Sequence, residues 1–399
     1  MTDRRGASGA IAPDSKYLRT AVQVVAGLAL NVFPAMFIAI YARIAPIETQ
    51  GFLALSLVVG VYVAQLLNAF VVEGRLATPD ADGELGLPSW VVFFTVVVGA
   101  LLVVGPAVAS SAVLMTSSIG VMTGLLMARS IGVVNGEWRR EGLAAAALIV
   151  ASLIALWLAH QHNPHCVRVL ALGALVAVVA RYQPRKALPH MGFPPDVGRS
   201  GWVTAETAVV GAVQPAITSL LLVMVGPAAS VTFRVISTVA GAMEPILAYG
   251  RYRLLAHGHR GELAAFVAVF GAGLVAVLAV AFSGVAGLIF GPAWHGVGAA
   301  ALLLACSWKA AMLLSTVPFA ALRKAGRTVL VFWIRGASTL VYLVISVGFL
   351  VLWRTPSAIF LAFVVSEMAT ALVYHYAAVK GAPDYSATFA YRQLRERFR

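Results

Sequence analysis

The chain has 399 residues, 60% of them hydrophobic and only 11% charged, where a soluble domain carries about 25% charged residues. This excludes a soluble globular protein, and because apolar windows near 20 residues recur with short connectors between them, no separate aqueous domain is expected. The formal net charge of +13 suggests nucleic acid only if it is not a topological excess of Lys and Arg on one membrane face.

Residues 1–20 are polar and include Pro13. They read as a cytoplasmic N-terminal segment; the apolar run that follows is full length and is succeeded by many more, so it is not a cleavable signal and is at most an uncleaved anchor. Apolar windows bounded by charge, Pro or Gly place spans at about 21–43, 51–72, 89–108, 112–128, 142–160, 166–182, 202–225, 229–249, 263–289, 297–321, 328–352 and 357–379. Span six is the least secure, since Arg168 and Arg181 leave 12 residues between them. With the N-terminus inside, 23 of the 29 Lys and Arg fall on the cytoplasmic face, three (Arg43, Arg168, Arg354) on the opposite face and three (Arg234, Lys309, Arg335) within spans. Deleting span six would destroy that bias. The distribution puts both termini in the cytoplasm of a multi-pass protein of the cell inner (plasma) membrane. It also accounts for the net charge without nucleic acid. The tail "YRQLRERFR" either lies against anionic lipid headgroups or is a solvated end that anchors the last span.

Sliding the chain on itself by 181 residues aligns Val32–Gly60 with Val213–Gly241 at eight identities in 29 positions, including Pro34/Pro215, Pro46/Pro227, Phe52/Phe233 and Gly60/Gly241. Two prolines keeping one separation point to a duplication. Both copies start on the same membrane face, so the halves are parallel repeats of six spans: an N-lobe over 21–183, a cytoplasmic linker over 184–201, a C-lobe over 202–380 and a basic cytoplasmic tail over 381–399. The fold expected is an all-α integral membrane protein with about 12 transmembrane helices in two parallel six-helix lobes around a central cavity. Pro34 and Pro215 fall mid-span in the first helix of each lobe, where each removes a backbone hydrogen bond. They are either working hinges or prolines tolerated by their neighbours.

Three stretches resemble the multidrug/oligosaccharidyl-lipid/polysaccharide (MOP) exporter superfamily, and within it the polysaccharide flippases. "RIAPIETQGFLALSLV" (Arg43 to Val58) is similar to the turn between the first two helices, with Pro46 and Gly51 matching and Ala45 in place of the usual Gly. "VGPAASVTFRVIST" (Val225 to Thr238) is similar to its counterpart in the second lobe, with Val231 where Gly is common. "FGPAWHGVGAAALLLA" followed by "ALRKAGRT" is similar to the end of the ninth helix through the turn after the tenth. The resemblance implies two lobes around a cavity that opens alternately to each side and carries a polyprenyl-diphosphate-linked sugar outward, with membrane lipids around it and glycan polymerases or glycosyltransferases as possible partners. Relatives handling drugs share the architecture, so fold does not settle cargo.

The intramembrane charges bear on that choice. Lys309 lies too deep to snorkel and needs a wet cavity or a counter-charge; Glu367, Glu244 and Glu206 are the candidates for counter-charge or ion coupling. A structural Lys309–Glu367 pair is the alternative to a cavity lysine. Arg234 and Arg335 sit nearer opposite ends of their spans, and each alone has snorkelling as an alternative. Together the three cations stand at outer, middle and inner depth of one lobe and suit an anionic group. Lys309, Arg234 and Arg335 are expected to bind a diphosphate, and Asn31, Gln65 and Asn68 sugar hydroxyls, unless the asparagines are interhelical glue. The first span holds no Asp or Glu in its interior, which argues against drug/proton antiport, although Glu206, Glu244 and Glu367 leave that reading open. An outward-moving anion gains about 2.3 kcal/mol per charge per 100 mV. No phosphate-binding loop is present, so nucleotide hydrolysis is not expected. "HQHNPHC" (His160 to Cys166) reads as a polar loop rather than a metal site, and Gly132/Gly136 as a weak packing signal. HExxH, GxSxG and CxxC are absent, so neither an enzyme, a metal nor a cofactor is expected. A cation-exporting antiporter and a non-transporting scaffold are the competing readings.

Overall fold

A computed structural model describes residues 13–76, 86–106, 108–183, 197–244, 246–247, 262–325, 327–382 and 385. The expected N-terminal segment up to residue 12, the linker over 184–196, the basic residues Arg251, Arg253 and Arg260 and the tail after 385 lie outside the described residues. The fold is all-helical, with no strand among the described residues. The N-terminal half comprises α1 (Pro13–Ile44), α2 (Ile47–Asn68), α3 (Ser89–Val104), α4 (Ser111–Val134), α5 (Trp138–His160) and α6 (Cys166–Arg181). The C-terminal half comprises α7 (Val197–Gly211 continued by Val213–Met224), α8 (Pro227–Gly241), α9 (Glu262–Phe282), α10 (Ala299–Lys324), α11 (Thr328–Trp353) and α12 (Pro356–Gly381).

A helix thus occupies each of the twelve expected positions, but not all are full spans. Among the described residues eight are long and apolar enough to cross a membrane, α1, α2, α4, α5, α7, α10, α11 and α12. Two of the remainder, α3 and α6, have 16 residues each. The ninth span, expected unbroken over 263–289, instead bends by 60° after Phe282 into a short helix, Val285–Phe290. Gly284 makes the bend with φ +84°, a conformation glycine adopts without steric cost. Residues 13–20, expected outside the first span, are already helical.

The packing follows from where small residues lie. Buried Ala144, Ala151, Ala155 and Ala159 form a stripe on α5 that lets α6 approach, and Gly120 and Gly124 bring α4 onto Val98 and Thr95 of α3. Large apolar side chains such as Phe93, Leu143, Leu153, Val223, Leu340 and Leu372 point outward, as expected of a surface solvated by acyl chains rather than water. One core joins α1 to α6 and takes in Val231 and Val235 of α8, and a second joins α7, α8, α10 and α12 with Ala281 of α9 and Leu350 of α11. At the bases of α5 and α6 an ion pair is enclosed: Arg181 Nε and Nη2 donate to Glu141 at 2.7 and 2.9 Å.

The two halves meet along α2. Near its basic end a Cβ on Gly74 would lie 2.9 Å from Ser200 Cα of α7; midway, the Tyr62 hydroxyl donates to the Ala208 carbonyl at 3.1 Å. At the far end a Cβ on Gly51 would stand 2.6 Å from Pro227 Cβ and 2.8 Å from its Cα, so only glycine permits this approach of α2 to α8. On that same face Arg43, closing α1, donates to the Leu288 and Ile289 carbonyls at 2.7 and 2.9 Å. The ends of the two halves remote from the basic loops are therefore held together.

Candidate transport cavity

Two helices facing the seam are broken. The carbonyl of Gly211 lies four residues before Pro215, whose ring crowds it and offers it no N–H; four residues after Gly241 the sequence again has a proline, which has no N–H to offer. The first break interrupts α7 at Ala212 and the second ends α8 in a turn over Ala242 and Met243. The eighth span, expected unbroken over 229–249, is thus interrupted. By contrast α1 runs through Pro34 and α10 through Pro318 without a break.

Both breaks line a cavity of about 330 Å³ between the halves, walled by Asn31 and Pro34 of α1, Tyr62 and Gln65 of α2, Gln214 and Pro215 of α7, Arg234, Ser237 and Thr238 of α8, and Glu244. Gly211 lets α2 close on it, since a Cβ there would meet the Tyr62 ring at 2.9 Å. A second cavity of about 260 Å³ lies within the C-terminal half and shares Val210, Gln214 and Glu244 with the first. Lys309, Arg335, Tyr342 and Glu367 line it.

Lys309 has its side chain 2% exposed and donates to Glu244 Oε1 at 2.6 Å. Its ammonium also sits 3.7 Å from the centroid of the Trp308 ring, an attraction that helps hold a desolvated cation. The lysine therefore faces a cavity and a carboxylate, and that carboxylate is Glu244 rather than Glu367. The reason is the break after Gly241, which delivers Glu244 to the junction of the two cavities. Glu367 accepts instead from Ser315 Oγ at 2.6 Å and from the Tyr342 hydroxyl. Arg335 donates to Glu206 Oε1 at 2.7 Å and lies 4.7 Å from the Phe319 ring centroid.

Of the three intramembrane cations, Arg234 forms no ion pair among the described residues, although Glu244 lines the same cavity, and its Nε is buried without an acceptor. Asn31 and Gln65 line the cavity with it. Asn68 does not: it is buried in α2, donating to Glu73 Oε1 at 3.1 Å across a π turn at Ala69–Glu73. Sequence reasoning passed over Gln214, whose buried Oε1 lacks a donor where the cavities meet; an amide beside a mid-span proline was the available signal. It also passed over Ser315 and Tyr342, which hold Glu367. No cluster of three or more His, Cys, Asp or Glu suited to a metal occurs among the described residues.

No family model matches the sequence, and no curated protein matches it. Among solved structures the chain is similar to an outward-facing multidrug resistance MATE family transporter of the MOP superfamily at 11% identity, over 93% of this chain and 96% of that one, with a TM-score of 0.49. It is similar to a MOP superfamily transporter from Pyrococcus furiosus at 15% identity, covering 91% and 92%, with a TM-score of 0.45. For a eukaryotic MATE transporter the figures are 13%, 96% and 99%, and 0.45.

Proposed function

We propose that this chain is an alternating-access exporter of the MOP type, carrying a polyprenyl-diphosphate-linked oligosaccharide from the cytoplasmic to the outer leaflet of the inner membrane. The observation that carries the reading is Arg234, a guanidinium that forms no ion pair among the described residues and lines a cavity between two helical halves together with amide side chains. A planar guanidinium donates two parallel hydrogen bonds to a diphosphate, while Asn31, Gln65 and Gln214 are suited to sugar hydroxyls. Lys309 and Arg335 take part by exchanging Glu244 and Glu206 for phosphate oxygens as the charge passes. Broken helices at the seam are what a moving transporter needs, because backbone groups freed at the breaks face a cavity rather than lipid; the α7 break before Pro215 serves as hinge. The membrane potential assists an outward-moving anion, and glycosyltransferases and polymerases act before and after it.

The test is the polyprenyl-lipid profile of a deletion strain: build-up of a cytoplasmic-facing lipid-linked glycan supports the proposal. One observation favours a cation antiporter instead. Glu367 is a buried carboxylate in a cavity with hydroxyl donors and no cation partner among the described residues. Sensitivity of the deletion strain to cationic drugs, with an unchanged glycan-lipid profile, would select that reading.

A further inference from the structure

Away from the cavities, the membrane-facing side of α11 and α12 carries a groove of about 790 Å³. Its walls are apolar, from Val329, Leu330 and Ile334 on α11 and Val373 on α12, and Trp333 and Tyr376 stand on its rim at 66% and 62% exposure. Its two cations, Arg327 and Lys380, sit together at one end. The two cations are drawn together by the chain itself: Gly381 leaves room for Arg327, whose Cγ would be 3.8 Å from a Cβ there. Lys380 donates to the Tyr376 hydroxyl and lies 4.3 Å from its ring centroid.

We infer that this groove is a binding site for an anionic diacyl phospholipid of the leaflet on the basic face. Charge and depth both argue for it. Trp333 lies six residues along α11 from Arg327, and Val373 seven along α12 from Lys380, so the apolar walls continue about 10 Å into the acyl layer. A soluble partner cannot follow them there. An acyl chain can, while its phosphate stays between two cations flanked by interfacial aromatics, where each basic residue near an anionic surface adds roughly fivefold to binding. The site is independent of the transported cargo, yet it braces the helix pair that lines the inner cavity: Ile334 walls the groove and Arg335 the cavity.

The test reconstitutes the full chain in phosphatidylcholine vesicles and titrates in dibrominated phosphatidylglycerol or dibrominated phosphatidylcholine. Trp333 is isolated among eight tryptophans as the fluorescence difference between the parent and Trp333→Phe. Half-quenching is expected at a mole fraction at least about fivefold lower for the anionic lipid than for phosphatidylcholine, and this preference is expected to vanish in Arg327→Gln/Lys380→Gln. Equal mole fractions for both lipids, or a preference that survives the double substitution, would overturn the site. So would preferential quenching by a brominated polyprenyl phosphate, which would make the groove a path for another lipid. Should the charge variant fail to reconstitute, native mass spectrometry of the parent from mixed vesicles decides. Phosphatidylglycerol retained above its vesicle fraction supports the site, and retention at that fraction contradicts it.

Discussion

Lys309 Nζ lies 2.6 Å from Glu244 Oε1, and the two ends of this ion pair have unlike surroundings: the lysine side chain is 2% exposed and the glutamate 56%. Removing each partner should therefore have unequal effects. Glu244→Gln leaves a buried ammonium without its charge partner, expected to cost about 3 kcal/mol. Lys309→Met leaves a carboxylate that water can reach, expected to cost less than about 1 kcal/mol. Thermal unfolding in detergent should show the larger drop for Glu244→Gln, and most of it should return in the double variant, while transport stays impaired in all three.

The contact of Gly51 with Pro227 sets a second expectation. A Val side chain at position 51 cannot coexist with a proline whose Cα would be 2.8 Å from its Cβ, so the ends of α2 and α8 must separate. Gly51→Val should shift the population toward a state open at the face opposite the basic loops. Cys166 and Cys306 are both buried, so a cysteine replacing Asn31 can report the change. Its labelling by a membrane-impermeant thiol reagent from that side is expected to rise severalfold when Gly51→Val is added.

Arg181 and Glu141 give a purely structural expectation. Their side chains are 1% and 0% exposed, and Arg129 is a second cation close to Glu141, so it is removal of the carboxylate that strands its partner in a dry site. Glu141→Met should destabilise the N-terminal half by about 3–5 kcal/mol, whereas Arg181→Met/Glu141→Met should recover much of it. Equal losses in the single and double variants, measured by thermal unfolding, would show that the pair is not what holds α5 to α6.

Helix positions were legible because a membrane span needs a long apolar run and little else. Breaks were less so. Pro34, Pro215 and Pro318 look alike in sequence, yet of these only Pro215 coincides with an interrupted helix, the one whose four-back residue is a glycine, Gly211. The partner of Lys309 was hidden for a related reason: Glu244 reaches it only because α8 ends at Gly241. The sequence placed Asn68 beside Gln65 as a sugar ligand, one turn apart on the same helix, but the π turn that follows brings Glu73 to the Asn68 amide and holds it away from the cavity. The pairing of Arg335 with Glu206 depends on how α7 and α11 face one another, which no local pattern encodes.

The most direct test concerns Arg234, which forms no ion pair among the described residues and shares its cavity with Glu244. Arg234→Gln and Arg234→Lys should be compared with the parent in proteoliposomes for transbilayer movement of a fluorescent polyprenyl-diphosphate-linked sugar. Loss of hydrogen bonds to a charged group, about 1.5–3 kcal/mol, predicts at least a tenfold slower rate for the glutamine variant, with partial activity for lysine. The unfolding midpoint should be unchanged or raised, since a guanidinium whose Nε is enclosed without an acceptor has been removed. Undiminished transport by correctly folded Arg234→Gln would contradict the account.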